Sequence, residues 1–270
     1  IVNNANATSC NIRNNTVKNL HNSTLGSWSS QDGSPHGHMV IGIAATDGAN
    51  VIDKNTIANL TTTSTDTRVD QVIGIYAKSD TLEQEITGNL IFNLKTDATD
   101  QYTKLSGIRY VSPGTGNNRV AGNRIYGITS SGSGAGTASE IKGIYSDNGE
   151  ATDFYNNMIS LGSTVTAGHN IYGIHNTQKG NFYYNSVVIS GSVTTGTLNG
   201  GSYAFRLNWA SSEAVVMNNI FVNTRTNDNH SNNYVFFLSH PNYADLMTLD
   251  HNAYWVNGTG TLLAYNGSAD

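Results

Sequence analysis

The chain has 270 residues, of which 12% are charged, and its formal net charge at pH 7 is −5. This charge is spread thinly and no basic run occurs, so nucleic acid is not an expected partner. Cys10 is the single cysteine, which excludes an internal disulfide and a structural zinc site of the cysteine type. No run of 18 apolar residues occurs, so we do not expect membrane insertion.

An asparagine recurs along the chain in one hydrophobic frame, with an apolar residue three positions before it and another two positions after it. The first copy reads Ile12, Asn15 and Val17, and the seventh reads Val215, Asn218 and Ile220. The asparagines of the eight copies are Asn15, Asn55, Asn89, Asn123, Asn157, Asn185, Asn218 and Asn252. Because most intervals are 33 or 34 residues, we expect one repeated unit and a single elongated domain over residues 1–270.

A second repeated segment lies between these frames and carries a glycine next to β-branched or aromatic residues. Its clearest copies are Ile41-Gly42-Ile43, Ile73-Gly74-Ile75-Tyr76, Gly107-Ile108-Arg109-Tyr110, Lys142-Gly143-Ile144-Tyr145 and Tyr172-Gly173-Ile174-His175. Later copies replace the glycine with a small or β-branched residue. Each repeat therefore holds two short β-type segments, and no helical periodicity is sustained.

A unit of about 33 residues with short strands and an asparagine at a fixed turn predicts an all-β, single-domain parallel β-helix, or β-solenoid, of about eight coils. Equivalent residues then stack from coil to coil. We expect the asparagine at this position because it tolerates left-handed backbone angles and because its amide can form a hydrogen-bonded ladder. The flanking Ile, Val and Phe residues are expected to fill the interior.

The alternation of Asn55-Thr56-Ile57-Ala58-Asn59-Leu60 with Gly-Ile-Tyr segments resembles the right-handed β-helix repeats of secreted surface proteins of Gram-negative bacteria that use the type IX secretion route. The resemblance covers essentially the whole chain. It implies a right-handed coil and an extracellular or cell-surface location. Such repeats occur in adhesins, surface layers, filaments and carbohydrate-active enzymes, so the resemblance does not select one function.

Right-handed β-helices also include polysaccharide hydrolases and lyases. An inverting hydrolase needs two carboxyl groups about 6.5–9.5 Å apart, and no column of acids on neighbouring repeats provides them. Arg109, Lys142 and Arg206 are the basic residues that we expect on regular strands, but no acidic calcium cluster accompanies them. His36 and His38 form the nearest approach to a metal motif, without a visible third ligand. We therefore predict no catalytic residue, no metal site and no cofactor.

One column of the glycine-containing segments follows an inward-facing apolar residue and is expected to face outward. Its members that form a possible surface recognition strip are Tyr76, Arg109, Tyr145, His175, Arg206 and Phe237. Aromatic and basic side chains at coil spacing are suited to lie against a sugar face or the β-surface of a partner, and they equally serve to cover the sheet. The neighbouring glycine column is expected to face outward as well.

These features lead us to expect an extracellular structural or adhesive β-solenoid without catalysis. One form of that role is a self-assembling surface filament, built by head-to-tail pairing of terminal coils. The alternatives are a carbohydrate-binding surface module and a polysaccharide-degrading β-helix enzyme. The expected partners are copies of the chain itself or the rest of a larger surface protein, and glycans.

Overall fold

A computed structural model describes most of the chain. The described residues are 1–3, 9–23, 36–63, 69–79, 82–97, 103–111, 116–132, 139–147, 152–177, 179–195, 200–208, 214–227, 232–241 and 247–265. The side chains of residues 36–38 and 69–70 lie outside this description, and with them the pair His36 and His38. Within these ranges the backbone forms β-strands and no helix long and apolar enough to cross a membrane.

The strands form three parallel sheets, and the chain visits the sheets in a fixed order. Sheet A contains β1 (Val2–Asn3), β4 (His36–Ala45), β7 (Val69–Lys78), β10 (Thr103–Val111), β13 (Glu140–Asp147), β16 (Asn170–Asn176), β19 (Ser202–Leu207), β22 (Asn233–Leu238) and β25 (Thr261–Tyr265). Sheet B contains β2 (Ser9–Arg13), β5 (Ala49–Asp53), β8 (Gln84–Thr87), β11 (Asn118–Ala121), β14 (Thr152–Tyr155), β17 (Gly180–Tyr183), β20 (Ala214–Met217) and β23 (Met247–Asp250). Sheet C contains β3 (Thr16–Asn22), β6 (Thr56–Thr62), β9 (Leu90–Thr96), β12 (Arg124–Ser130), β15 (Met158–Leu161), β18 (Ser186–Ile189), β21 (Ile220–Asn223) and β24 (Ala253–Val256).

Each strand pairs in parallel with its equivalents in the neighbouring coils, so that repeats are stacked in register. In sheet A, for example, Ile108 aligns with Ile75 on one side and Ile144 on the other. Sheets B and C have eight strands each, so the described strands form eight coils. The predicted all-β, parallel β-solenoid is therefore confirmed, while its handedness remains a prediction.

The interior is a set of apolar columns that run along the solenoid. The sheet B column contains Ile12, Ile52, Ile86, Val120, Phe154, Phe182 and Val216, and the facing sheet C column contains Ile57, Ile91, Ile125, Ile159, Val187 and Phe221. Sheet A closes the core with Ile43, Ile75, Ile108, Ile144, Ile174, Phe205 and Phe236. Each buried side chain of this kind contributes roughly 1.5–3 kcal/mol. The core is thin, so its stability depends on the continuity of these columns.

The predicted asparagine ladder lies at the turn between sheets B and C. Asn123 shows the pattern: its Oδ1 accepts the backbone N–H and the Nδ2 of Asn89, at 3.0 Å each. Its Nδ2 donates to the carbonyl of Ile86 at 2.9 Å and to Oδ1 of Asn157 at 3.0 Å. The same bonds repeat along the chain, which satisfies buried turn amides that no strand partner reaches.

The seventh member of the ladder is Asn219, so the prediction of Asn218 is wrong. Asn185 donates its backbone N–H and its Nδ2 to Oδ1 of Asn219, at 2.9 and 3.0 Å. Asn219 in turn donates to Oδ1 of Asn252. The buried residues of this frame are Val216 and Phe221, one position later than the predicted pair.

Asn218 instead occupies the left-handed position that precedes every ladder asparagine. Its φ is 58°, and the equivalent residues are Asn14, Lys54, Gly88, Gly122, Asn156, Tyr184 and His251, all with φ between 52° and 64°. Left-handed geometry thus belongs to the residue before the ladder, and the ladder asparagine is selected by its amide alone. The expectation that the ladder residue itself adopts this geometry is therefore corrected.

A second asparagine column, which the sequence interpretation did not assign, lies four residues after the first. Asn19, Asn59 and Asn93 have φ of 61°, 56° and 54°. Asn59 Nδ2 donates to Asn19 Oδ1 at 2.8 Å, and Asn93 Nδ2 donates to Asn59 Oδ1 at 3.2 Å. Gly127, with φ of 66°, continues the column. This ladder is exposed, so we expect it to stabilise the fold less than the buried one.

The glycine column of sheet A faces the interior, contrary to the prediction. A Cβ on Gly143 would lie 2.6 Å from Cγ2 of the core residue Ile159 and 2.6 Å from the carbonyl oxygen of Gly173. In these strands the glycine and the next residue both point inward, so simple alternation fails at this point. The glycine is needed because the next coil and the opposite sheet approach its Cα together.

A buried arginine organises the turns that follow sheet C in the fifth to seventh coils. Arg225 donates from Nη1 to the carbonyls of Gly162 and Ser190, and from Nη2 to those of Val165 and Ala167. Burial lowers its pKa to about 10. His169 lies close by, and burial together with the charge of Arg225 lowers the pKa of its imidazole to about 4.

Candidate functional site

The predicted recognition strip is brought together as one column on the outer face of sheet A. Arg109 aligns with Tyr76 and Tyr145, and the column continues through His175 and Arg206. Phe237 completes it, aligned with Arg206. Because the residues on either side of Arg109 are in the core, its side chain leaves the sheet on the opposite face.

The strip is largely covered, although it lies on the outer face. Tyr76 is 2% exposed, His175 is 6% exposed and Arg109 is 9% exposed, while the other members are half-buried. These three residues therefore face outward as expected but expose little surface. Recognition of a ligand by the strip stays a prediction, and its half-buried members Tyr145, Arg206 and Phe237 offer the larger exposed surface.

Cations and aromatic rings alternate along the strip. The guanidinium carbon of Arg109 lies 5.7 Å from the ring centroid of Tyr76 and 5.8 Å from that of Tyr145. That of Arg206 lies 4.9 Å from Tyr203 and 4.8 Å from Phe237. Each contact of this kind contributes about 0.5–2 kcal/mol, so part of the strip serves the stability of the outer face.

A column of tyrosines runs beside the strip. Tyr172 and Tyr203 are stacked with centroids 5.1 Å apart and an angle of 10° between ring planes, and Tyr203 and Tyr234 are stacked at 5.8 Å and 16°. Rings that are stacked along the solenoid axis contact one another through their faces, so their edges point outward. These rings therefore turn no flat surface toward a sugar, and their column presents ring edges and hydroxyls.

A pocket of ≈ 330 Å³ opens on this face over β7, β10, β13 and β16. Its lining includes Gln71, Lys104, Arg109, Lys142 and His175. This volume is at the lower end of the range for small-molecule sites, and the lining concentrates hydrogen-bonding groups. The pocket is thus a place on the outer face where a ligand can reach several functional side chains at once.

Lys142 lies at the centre of the electrostatics of the pocket. Its Nζ is 2.9 Å from Oε2 of Glu140 and 3.8 Å from the ring centroid of Tyr145. Burial lowers the pKa of the Lys142 ammonium, the Glu140 carboxylate partly offsets that effect, and Arg109 and Lys104 add to it by repulsion. The surroundings of Lys142 therefore disfavour its charged form, and a further nearby negative charge would stabilise that form.

The other titratable groups of the pocket are held in one protonation state by burial. Burial, and then the charge of Asp147, raises the pKa of the Tyr145 hydroxyl. Burial, and then the positive charges of Lys142 and Arg206, lowers the pKa of His175 well below its ordinary value. At neutral pH Tyr145 and His175 are therefore uncharged, and the cations of the pocket are lysine and arginine.

Only part of this site is evident from the sequence. Arg109 and Lys142 were expected on strands, but Lys104 also lies on β10 and Gln71 lies on β7. Aligning the repeats would have revealed these residues, because Lys104 aligns with Gln71 and with Glu140, one coil away on either side. In the described part of the chain, no group of three or more His, Cys, Asp or Glu side chains is placed to hold a metal ion.

Comparisons with known proteins returned nothing for this chain: no protein-family model, no curated protein and no solved structure matches it.

Proposed function

We propose that this chain is an adhesive β-solenoid of the extracellular or cell-surface kind, which binds a glycan in the pocket of sheet A without catalysis. The solenoid supplies a rigid scaffold, because its turns and core are tied together by repeated ladders. The resemblance of its repeats to those of secreted bacterial surface proteins supports the location. The pocket supports the adhesive role.

The observation that carries the proposal is the convergence of polar side chains in one concave region of the outer face. Gln71, Lys104 and Arg109 meet there from two neighbouring coils. Elsewhere on the outer face of sheet A, the tyrosines and Arg206 are engaged with one another. A sugar is recognised mainly through its hydroxyl and ring oxygens, and the pocket offers donors for them.

The acids of the pocket support binding over catalysis. Glu140 forms an ion pair with Lys142, and Asp147 accepts a hydrogen bond from the Thr177 hydroxyl at 3.2 Å. A hydrolase needs one carboxyl group to act as acid and another as base or nucleophile. Two carboxylates that are engaged with neighbouring side chains are poorly prepared for these roles.

The test is to fill the pocket without disturbing the sheet. Ser106 lines the pocket and belongs to the column that holds Tyr172 and Tyr203 in later coils, so Ser106→Tyr introduces a residue that this column accepts. Ser160→Tyr is the matched control: it lies on sheet C, in register with Tyr126. The readout is binding of the intact chain to an array of neutral and acidic glycans.

We expect the intact chain and Ser160→Tyr to bind the same glycans, and Ser106→Tyr to lose that binding with an unchanged far-UV circular dichroism spectrum. Retention of binding by Ser106→Tyr would move the site away from the pocket. Release of reducing or unsaturated ends from any bound polysaccharide would show that the chain is an enzyme and would overturn the non-catalytic part of the proposal.

Head-to-tail assembly into a filament remains a second proposal from the sequence. In the described residues, β23, β24 and β25 have a paired strand on one side only, so their outer backbone groups are able to pair with a further coil. Negative-stain electron microscopy of the chain at several concentrations tests this: regular fibres support assembly, and short single rods at every concentration contradict it.

A further inference from the structure

The pocket of sheet A contains buried hydrogen-bonding groups that no described protein atom satisfies. Gln71 is 3% exposed, Arg109 is 9% exposed and His175 is 6% exposed. The Nε2 of Gln71, the Nε of Arg109 and both ring nitrogens of His175 have no hydrogen-bond partner. All three side chains line the pocket. A buried donor without an acceptor is unfavourable, so these groups favour a ligand that brings acceptor atoms.

The cations around the pocket outnumber its carboxylates. Lys104, Arg109 and Lys142 line it on the positive side, and Glu140 and Asp147 line it on the negative side. Glu140 is paired with Lys142, and the contact of Asp147 is with Thr177. The surplus is positive on a chain whose net charge is −5. It is therefore a local feature of this face and not an average property of the chain.

The hydrogen-bonding groups of the pocket that have no partner distinguish acidic glycans from neutral ones. The Nε2 of Gln71 and the Nε of Arg109 can only donate hydrogen bonds, and an ionised carboxylate or sulfate can only accept them. A sugar hydroxyl brings a donor of its own, which the unprotonated ring nitrogen of neutral His175 can accept, but it supplies one oxygen where a carboxylate or sulfate supplies two or more acceptor oxygens. An anionic group also relieves the repulsion among the three cations. A negatively charged sugar unit thus fits both the hydrogen bonding and the charge.

The shape of the site indicates a chain of sugars running along the solenoid and not a free anion. Beyond the pocket, the same face presents Arg206 and the hydroxyl of Tyr172 at further steps of about 4.8 Å per coil. A polymer that runs along the axis therefore meets a new row of polar side chains at each coil. Its charged groups would be held in the pocket and its hydroxyls at the edges of the tyrosine column.

We infer that the pocket binds the carboxylate or sulfate of an acidic polysaccharide, with Arg109 and Gln71 as hydrogen-bond donors and Lys104 as the accessible cation. This inference rests on the proposed glycan-binding function and names its ligand class. Lys104 is half-buried on the outer face, so it can be changed with little effect on folding. Arg109 lies between two tyrosine rings and is less suitable as the first variant.

The experiment is isothermal titration calorimetry of the intact chain with four probes: oligogalacturonate, chondroitin sulfate, dextran and double-stranded DNA. We expect at least one acidic glycan to bind at least tenfold more tightly than dextran and DNA. Lys104→Gln should weaken this binding about tenfold, since one charge-assisted contact is lost. Lys95→Gln, a lysine on sheet C that pairs with Asp97, should bind as the unmodified chain does. The two acidic probes decide whether carboxylate or sulfate is preferred.

The outcomes separate the inference from the proposed function. If dextran binds as tightly as the acidic probes and Ser106→Tyr abolishes both, the glycan site stands and the inference fails. If DNA binds as tightly as the acidic glycans, or both lysine variants weaken binding equally, the interaction is a general charge effect and the inference also fails. If no glycan binds on either the array or the calorimeter, the proposed function fails with it.

Discussion

The buried asparagine ladder should be the most sensitive polar feature of the fold, and Asn123→Ala tests this. Asn123 is fully buried in the fourth coil, and its side chain makes four hydrogen bonds with Asn89, Ile86 and Asn157. The backbone N–H of Asn89 donates to its Oδ1, so the substitution removes the acceptor of a buried main-chain amide. The change thus breaks a satisfied network and leaves one of its members orphaned.

The expected loss follows from these contacts. An orphaned buried N–H is unfavourable by about 1–3 kcal/mol, and each of the three other hydrogen bonds contributes about 0.5–1.5 kcal/mol, so Asn123→Ala should lower the free energy of unfolding by about 2.5–7.5 kcal/mol. Asn15→Ala is the matched control at the end of the same ladder. Its Nδ2 donates to Asn55 and Arg13, but the backbone N–H of Asn15 still reaches Asn55 after the change. We expect a loss of about 1 kcal/mol there.

The assay is urea unfolding followed by far-UV circular dichroism, with the slope of the transition compared among the variants. If the slopes are equal, the midpoints can be converted to free energies of unfolding. A solenoid that unfolds in several independent units would not permit this conversion. An Asn123→Ala variant as stable as Asn15→Ala would refute the argument. It would mean that water or a small backbone shift satisfies the amide of Asn89 when the ladder is interrupted.

Three further predictions concern groups whose surroundings the structure defines. Gly143→Ala should lower the free energy of unfolding by about 1–3 kcal/mol in the same urea assay, because its Cβ would overlap the carbonyl of Gly173. His169 is neutral when folded, since its pKa falls from 6.5 to about 4, whereas the unfolded chain takes up the proton below pH 6.5. The free energy of unfolding should therefore decrease as pH falls from 6.5 to 4, by about 3 kcal/mol at 1.36 kcal/mol per pKa unit, and His169→Gln should remove this part of the pH dependence. Arg225→Lys should lower the unfolding midpoint by at least the equivalent of about 2 kcal/mol, because one ammonium cannot reach the four carbonyls that the guanidinium binds.

Each of these three predictions would be contradicted by a specific result. An unchanged midpoint in Gly143→Ala would mean that the next coil yields to a methyl group. The same loss of stability on acidification in His169→Gln as in the unmodified chain would assign that loss to other groups. Arg225→Lys with full stability would mean that the turn carbonyls find other donors.

The fold was predictable from sequence because each coil of a solenoid carries the same pattern of residues. The asparagine frame recurs often enough to define the coil, and seven of the eight assigned ladder residues are the ones that the structure uses. The exception has a local cause. At Val215-Val216-Met217-Asn218-Asn219-Ile220-Phe221 every position of the frame is doubled, so two registers fit the apolar pattern equally. In the structure, the left-handed residue before the ladder asparagine distinguishes the two registers. Several residue types occupy that position, so the sequence does not mark it.

The glycine column shows a second limit. Strand alternation places Gly143 on the face opposite to Ile144, but the structure turns both residues inward. A bulge of this kind is invisible to an alternation rule, because glycine carries no apolar signal that would reveal its side of the sheet. Later coils hold Ala204 and Val235 in the same column, both fully buried. Those substitutions are the sequence signal that the column belongs to the core.

The pocket could not be predicted from any one segment, because it is made by the register of four coils. Gln71, Lys104 and Glu140 are separated by more than thirty residues each and read individually as ordinary polar strand residues. Many side chains in the rest of the described solenoid contact their equivalents one coil away, in ladders, stacks and cation–π contacts. The pocket is where that pairing gives way to unmatched donors and surplus positive charge, and natural folds keep such groups buried mainly where a ligand or a reaction needs them. The departure from the repeat, more than the repeat itself, is therefore the reason to propose a ligand site in this region.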